Sequence, residues 1–183
     1  MWKVNKPEPV KLLIGILAAN ADALDAAQAK IADHFGDADL VSEVWPFTQT
    51  TYYNDEMGTS VLRRFVSIDK LIDPGQLADI KHRTNQIERT LAEKLDLDLP
   101  RPVNLDPGII EPSKLVLAST KNFSHRIYIG DGMYAELTLS FCRGKWISFP
   151  YTFPDYKEER YHDFLSHVRD RLVEQARPAA DGR

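Results

Sequence analysis

Cysteine is nearly absent from this sequence, because Cys142 is the only one among its 183 residues. A single cysteine cannot form an internal disulfide, and a zinc site in this chain would need other types of ligand. A disulfide framework is therefore excluded. We interpret Cys142 as a small residue at the end of a strand rather than as a nucleophile.

Long apolar runs are absent as well, and nothing approaches the ~20 residues that a membrane-spanning helix needs. The run at residues 12–19 follows three lysines and overlaps the layout of a secretory signal. Glu8 and Pro9 interrupt the charged region, however, and the run is short for a signal. We interpret it as a buried strand that leads into a helix, and we expect a cytoplasmic protein with no membrane association.

The chain also lacks a surplus of basic residues, since its formal charge is −4 and its pI is about 5.7. Duplex nucleic acid is bound largely by neutralising phosphates, so we do not expect it as a partner. The loop G-x-x-x-x-G-K-[ST] and the motifs G-x-G-x-x-G, H-E-x-x-H, C-x-x-C and G-x-S-x-G are missing. The sequence therefore assigns no cofactor, and its enzymatic status stays open.

What the chain does contain is typical of one globular domain. Apolar residues make up 43% and charged residues 27% of it, which permits a core and argues against global disorder. We predict a single α+β domain over residues 8–176 and a frayed tail over residues 177–183.

The first two thirds of the chain alternate strand and helix patterns in the order β-α-β-β-α-β, as in a ferredoxin-like unit. The clearest signal is Asp73 followed by Pro74, a helix cap and first helical position. Asp106-Pro107-Gly108 is predicted as a turn. The predicted elements are strands at 10–18, 40–47 and 61–68, helices at 21–35 and from Asp73 to Leu95, and an extended segment at 97–110.

The last third predicts an antiparallel β-meander and a terminal helix. Its strands are expected at 123–129, 133–141 and 145–149, and its helix at 155–174. Three-residue loops ending at Gly132 and Gly144 place a glycine at the left-handed position that such loops favour.

This register sorts the meander residues into two faces. It sets Ile129 opposite Met133, His125 opposite Leu137 and Phe123 opposite Leu139 on an apolar face that also holds Ile147 and Phe149. On the other face it pairs Arg126 with Glu136, Tyr128 with Tyr134 and Ser124 with Thr138, beside Trp146. Two interpretations of this polar and aromatic face stay open, a binding surface or a structural face that is solvated or covered.

The candidate site residues cluster around this meander. Lys114 and Lys121 would hold an anionic ligand together with Arg126, Tyr128 and Tyr134, although both lysines also suit an ordinary surface. His125 or Glu136 would move a proton, although a lone histidine on an apolar face is commonly a hydrogen-bonded core residue.

Three other polar groups have simpler interpretations. Lys81, Asn85 and Glu88 form a helical stripe that surface pairing explains. Asn104 and Asp106 precede a Pro-Gly sequence, where such side chains bond the local backbone. Asp106, His125 and Glu136 lack close ligand spacing, so we predict no metal site.

Several stretches resemble the bacterial family called domain of unknown function 4416, over roughly residues 8–176. They are 111–122 (EPSKLVLASTKN), 124–128 (SHRIY), 134–136 (YAE), 10–12 (VKL), 52–58 (YYNDEMG), 84–88 (TNQIE) and 104–108 (NLDPG). The resemblance implies an intracellular protein without assigned catalytic residues. Some members carry a GTP-binding label, but this chain has neither the phosphate loop nor N-K-x-D.

Two functional hypotheses follow from these observations. The first is a binding or catalytic domain for a small anionic metabolite, such as one that bears phosphate. The alternative is a non-catalytic interaction module or homo-oligomer that uses an exposed edge or aromatic face. Single-stranded RNA stacking on the sheet aromatics ranks third, because the net charge is negative and no RNP-type motif is present.

Overall fold

The computed structural model describes residues 2–50 and 53–177 as a mixed α+β fold. The predicted tail beyond residue 177 and residues 51–52 of the polar connection lie outside these described residues. The strands are β1 (Lys11–Ala18), β2 (Ala38–Val41), β3 (Trp45–Pro46), β4 (Leu62–Ile68), β5 (Val103–Glu111), β6 (Lys114–Ser119), β7 (Arg126–Gly130), β8 (Met133–Cys142) and β9 (Lys145–Ser148). The helices are α1 (Ala21–Phe35), α2 (Asn54–Met57), α3 (Leu77–Lys94) and α4 (Glu159–Gln175).

All nine described strands belong to one antiparallel sheet with the order β2-β4-β1-β5-β6-β8-β7. The short β3 pairs with β4, and β9 pairs with β8. Every residue of β1 is buried, because this apolar strand lies near the middle of the sheet with helices on both faces. The sequence interpretation of this segment as a central strand is confirmed.

Alternate residues of β1 face two different cores. Leu12, Ile14 and Ile16 pack against α1 and α3. Leu13 packs on the opposite face, against a core that α4 supplies through Tyr161 and three aliphatic residues. Within residues 2–50 and 53–177, no helix is long and apolar enough to cross a lipid bilayer.

The first two long helices begin where the sequence predicts. The side chain of Asn20 accepts a hydrogen bond from the Ala23 N–H at 2.8 Å, and α1 spans the predicted residues. The carboxylate of Asp73 accepts from the Gly75 N–H at 2.8 Å, which starts a 3₁₀ turn (Pro74–Gln76) that leads into α3.

Three strand predictions need correction. The strand expected at 40–47 is divided into β2 and β3, and the segment at 97–110 is a strand only from Val103 onward. Asp106, Pro107 and Gly108 lie inside β5 rather than in a turn. The structure also adds β6, which joins β5 through Pro112 and Ser113, a tight connection without the glycine or asparagine that marks most hairpins.

The predicted three-residue loops of the meander are wrong, because both turns have two central residues. Asp131 and Gly132 have φ angles of 50° and 74°, and Arg143 and Gly144 have 50° and 77°, as in a type I′ turn. Gly130, not Ile129, therefore lies opposite Met133. A register irregularity between Tyr128 and Gly130 restores the predicted pairs of Tyr128 with Tyr134 and Arg126 with Glu136.

The predicted faces of the meander also change. Phe141 lies opposite Trp146, and an irregularity near Leu137 directs Leu139 and Trp146 into the core under α4. Ile127, Leu137 and Ile147, which the predicted register places on the apolar face, are 73%, 37% and 47% exposed. The helices that pack on the sheet face carrying Ile127, Leu137 and Ile147 do not cover its outer strands, so these side chains are exposed.

The meander begins later than predicted. Phe123, Ser124 and His125 precede β7, so their predicted partners Leu139, Thr138 and Leu137 do not pair with them. His125 therefore stands in a turn and not on an apolar strand face.

Candidate functional site

The sheet divides between β5 and β6, and this division forms a cleft. The two strands pair only from Gly108 opposite Leu117 to Glu111 opposite Lys114. The earlier part of β5 pairs with β1 alone, while the end of β6 continues along β8. At the last shared pair the backbones are very close, since a Cβ on Gly108 would lie 2.7 Å from the Val116 carbonyl oxygen.

Side chains of α3 take the place of the missing strand partner. The Leu105 N–H donates to Oε1 of Glu88 at 2.8 Å, and the Leu105 carbonyl oxygen accepts from Nζ of Lys81 at 2.7 Å. In an antiparallel strand the N–H and the C=O of one residue point to the same neighbouring strand. Residues two apart point the same way, so Pro107 is oriented like Leu105. An N–H at position 107 would point into the division, where β6 no longer pairs with β5. Proline, which has no N–H, is therefore tolerated at this position.

The cleft has a volume of about 650 Å³. Five cationic side chains line it, Arg63, Lys81, Arg101, Lys121 and Arg126. Three carboxylates line it as well, Asp106, Glu136 and Asp155. We name two of its sides: the Arg63 wall (Arg63, Asp106, Asp155, Tyr156) and the Glu136 wall (Ser119, Lys121, Arg126, Glu136).

The Arg63 wall is built around a buried guanidinium. Nη2 of Arg63 donates to Oδ2 of Asp155 at 2.7 Å, and Nη1 lies 3.7 Å from Oδ2 of Asp106. The guanidinium also lies over the ring of Phe65, 5.3 Å from its centroid. Among the described residues, Nε and Nη1 of Arg63 have no hydrogen-bond partner, and neither has the buried hydroxyl of Tyr156.

Burial dominates the titration of this wall. It raises the pKa of Asp155 above its ordinary value of 3.8, although Arg63 opposes the shift and Asp106 adds to it. Burial also raises the pKa of Tyr156 well above 10, so its phenol stays protonated. Burial opposes the charge of Arg63, yet Asp155, Tyr156 and Asp106 together hold its pKa above the ordinary value. The wall therefore presents a fixed cation and a neutral hydroxyl.

A chain of polar contacts links this wall to α3. Nδ2 of Asn104 donates to Oδ2 of Asp106 at 2.8 Å, and the Asn104 oxygen accepts from Arg101. Nη2 of Arg101 donates to Oε2 of Glu88 at 2.7 Å. Two sequence interpretations are therefore wrong. Glu88 and Lys81 are buried rather than a surface pair, and Asn104 bonds other side chains rather than a local turn.

The Glu136 wall holds a buried carboxylate between two nitrogen donors. Glu136 is 2% exposed, and its Oε2 lies 2.9 Å from Nε of Arg126 and 3.0 Å from Nε2 of His125. Nη1 of Arg126 also donates to Oγ of Ser119 at 2.8 Å and to the Lys121 carbonyl at 3.0 Å. These bonds fix the loop after β6 against the edge of the sheet.

His125 reaches the cleft only through Glu136, because its own ring is outside the lining. The imidazole is stacked on Tyr151, with ring centroids 4.1 Å apart and planes within 8°. Phe123 contacts the imidazole as well, at a centroid distance of 5.2 Å. These rings hold the histidine beside the carboxylate.

The structure brings some of the predicted site residues together and separates others. Lys121, Arg126 and Glu136 line the cleft. Lys114 is at the opposite end of β6 and pairs with Glu111 at 2.5 Å, about 15 Å of strand away from Ser119. Tyr128 and Tyr134 contact each other edge to face on the hairpin, outside the lining.

Several cleft residues were missed from the sequence. Arg63, Arg101, Asp155 and Tyr156 line the cleft, and Gly15 of β1, outside the lining, lets Arg63 and Tyr156 pack against the strand. The available signal was an arginine inside the apolar strand β4, since charged residues are seldom fully buried unless paired. Within the described ranges, no three His, Cys, Asp or Glu side chains come together in a way that could hold a metal ion.

Comparison with known protein families assigns most of the chain to a domain family. A family model described as "Domain of unknown function (DUF4416)" matches residues 8–172, which is most of the chain. No curated protein matches the sequence at a significant level. The match agrees with the resemblance noted in the sequence, and it assigns no activity to the cleft.

Proposed function

Because the chain belongs to the domain of unknown function family DUF4416, which assigns no activity, we propose a function from the cleft itself. The cleft binds a small anionic metabolite, with a phosphate or carboxylate group held at the Glu136 wall. Ligand sites of this kind are concave, of a few hundred Å³, and carry a few convergent polar groups.

The observation that carries this proposal is the charge of the lining. The chain as a whole is acidic, with a formal charge of −4, yet five cations and three carboxylates line the cleft, and the Glu88 carboxylate that pairs with Lys81 and Arg101 lies outside this lining. Low-dielectric walls focus such a local charge and raise the concentration of counter-ions at the site. A concave basic site on an acidic chain favours an anion of modest size over nucleic acid.

Each residue of the Glu136 wall has a separate role in the proposal. Lys121 and Arg126 attract the anion, and Glu136 keeps the Arg126 guanidinium in one orientation through Nε. Glu136 is the group in the lining that would exchange a proton with a bound ligand, and His125 positions its carboxylate from behind. Tyr128 and Tyr134, included in the sequence hypothesis, have no part in this version.

A thermal-shift screen against inorganic phosphate, sugar phosphates, nucleotides and small carboxylates tests the proposal. A ligand at about 100 times its dissociation constant adds about 2.7 kcal/mol to the free energy of unfolding, and so raises the melting temperature. We expect Lys121→Ala to abolish the shift and Lys114→Ala, outside the cleft, to preserve it. Binding that is unchanged in Lys121→Ala would contradict the proposed site, and no shift with any probe would overturn the function.

The alternative function, self-association, has an observation of its own. Ile127, Leu137 and Ile147 form an exposed apolar surface on the outer strands. A stable dimer would bury about 800 Å² of each partner there. Sedimentation velocity of the wild type and Ile127→Asp tests self-association. A dimeric wild type that becomes monomeric in the variant supports it, and a monomeric wild type excludes it.

Two finer expectations also remain proposals. We propose that residues up to the end of β5 form a ferredoxin-like unit, supported by the strand order β2-β4-β1-β5 and by α1 and α3 sharing one core. An experimental structure with another strand order would overturn it. A cytoplasmic location in a bacterium rests on the sequence resemblance, and fractionation of cells that express the tagged protein would test it.

A further inference from the structure

The two walls of the cleft differ in their net charge. At the Arg63 wall one guanidinium faces two carboxylates, Asp155 at 2.7 Å and Asp106 at 3.7 Å. A second anionic group placed here would meet the uncompensated charge of Asp106. The anionic group of a ligand is therefore better accommodated at the Glu136 wall, and an uncharged group is better accommodated at the Arg63 wall.

The Arg63 wall also has unused hydrogen-bonding capacity. Nη1 of Arg63 and the hydroxyl of Tyr156 are buried donors without an acceptor among the described residues. The Asp106 carboxylate accepts from Asn104 and keeps further lone pairs, and its side chain is 28% exposed. Buried polar groups of proteins are nearly always paired, so unpaired ones that line a cleft indicate a missing partner.

Gly15 brings these two donors to one point. A Cβ at this residue would lie 2.9 Å from Nη1 of Arg63 and 3.2 Å from the Tyr156 oxygen. Gly15 is opposite Asp106 in the pairing of β1 with β5, so the carboxylate belongs to the same part of the sheet. A larger residue would also crowd the Phe65 ring at 3.0 Å, so glycine is what lets the two donors pack side by side against the strand.

We propose that this corner binds a hydroxyl group of the ligand. The hydroxyl hydrogen is donated to Asp106, and the hydroxyl oxygen accepts from Nη1 of Arg63 or from Tyr156. Neutral hydroxyls match a corner that offers donors and an acceptor together and repels anions. This inference rests on the proposed function. It defines the ligand class as a hydroxylated phosphate or carboxylate, such as a sugar phosphate or a hydroxy acid.

Isothermal titration calorimetry with two probes tests this inference. Ribose 5-phosphate carries hydroxyls and methyl phosphate carries none, while both present a phosphate monoester. We expect the wild type to bind ribose 5-phosphate at least about tenfold more tightly, because a site built for a hydroxyl rejects the analogue that lacks it. Asp106→Asn and Tyr156→Phe should each reduce this preference by about tenfold. Tyr156→Phe should leave the affinity for methyl phosphate unchanged, whereas Asp106→Asn should not weaken it, because this variant removes a negative charge from the cleft.

Lys121→Ala separates the two proposals, since it should weaken both probes alike. Equal binding of the two probes to the wild type would overturn the hydroxyl site and leave the anion site standing. Absence of binding to either probe would overturn both. A preference that survives both Asp106→Asn and Tyr156→Phe would overturn the assignment to this corner. Melting temperatures of the free variants check folding, and Tyr156→Phe should match the wild type because its hydroxyl has no partner to lose.

Discussion

The ammonium of Lys81 lies 2.7 Å from the carbonyl oxygen of Leu105, a hydrogen bond from a helix to the middle of a strand. The bond lies where β5 no longer pairs with β6. Glu88 accepts the Leu105 N–H, so the two side chains together replace the hydrogen bonds of a neighbouring strand. The sheet can therefore divide without leaving the backbone groups of Leu105 unpaired. The cleft depends on these two side chains of α3.

Lys81→Met is expected to destabilise the protein by about 2 kcal/mol, because the Leu105 carbonyl loses its donor and Glu88 its nearby cation. Urea unfolding followed by circular dichroism measures this change. Lys94→Met, at an exposed position of the same helix, is the matched control and should stay within about 0.5 kcal/mol of the wild type. Equal effects of the two variants would contradict the role of Lys81.

Gly108→Ala is expected to cost about 2 kcal/mol or more, because the new methyl group would lie 2.6 Å from a Leu117 methyl and 2.7 Å from the Val116 carbonyl oxygen. The backbone of β6 would have to move at the point where the strands separate. Gly75→Ala is the control, since there the nearest atom belongs to the side chain of Asp73. Denaturant midpoints that do not differ between these variants would show that the strands can separate freely at Gly108.

Asp39→Asn tests a pH dependence. Burial opposes ionisation of Asp39, but Lys11 and Arg171, which donate to its Oδ2, hold its pKa below the ordinary value of 3.8. A carboxylate with a lowered pKa contributes stability above its unfolded pKa and loses that contribution as the pH falls through its folded pKa. The variant should therefore be about 2 kcal/mol less stable than the wild type at pH 7.

The same difference should begin to shrink as the pH falls below 3.8, where the carboxylate of the unfolded chain is protonated, and it should disappear below the lower pKa of the folded state. Urea unfolding of both proteins between pH 7 and pH 3 measures it. A gap that stays constant over this range would show that the charge of Asp39 has no part in the effect.

Asp155→Ala is expected to destabilise the fold by about 3 kcal/mol or more, because Arg63 would remain buried without its hydrogen-bonded carboxylate. The double variant Arg63→Met/Asp155→Ala removes both charges and should recover part of the loss. Thermal unfolding of the wild type, Arg63→Met, Asp155→Ala and the double variant tests the coupling. Additive effects in the double variant would contradict an energetic link between these residues.

Local patterns were enough to predict α1, β1 and β4, since each depends on residues near one another in the sequence. The Arg126–Glu136 pair was also predictable, because a short hairpin limits the available registers. The type I′ turns were missed for different reasons. Asp131-Gly132 is a favoured pair for such a turn, but the irregularity between Tyr128 and Gly130 that keeps the faces sorted has no signal in the sequence. At the second turn Arg143, a residue that seldom adopts a positive φ, occupies the first central position.

Most of the cleft could not be predicted from the sequence, because its residues are distant from one another along the chain. Arg63 and Asp155 are 92 residues apart, and no local period connects them. Lys81 and Glu88 have the spacing of a surface stripe, and only the division of the sheet makes them buried partners of β5. Of the predicted site, the sequence located one wall, around Arg126 and Glu136, because those residues lie on neighbouring strands of one hairpin.

The buried ammonium of Lys11 has a consequence for the order in which the chain folds during synthesis. It donates to the side-chain oxygen of Gln175 at 2.7 Å, across 164 residues of sequence. A ribosome delivers β1 long before α4, so this bond forms only when nearly the last turn of helix emerges, whereas Asp39 and the Asp69 carbonyl, which also accept from Lys11, are available earlier. The face of β1 that carries Leu13 is therefore covered by α4 only late in synthesis, and a chaperone has most of the elongation time in which to shield it.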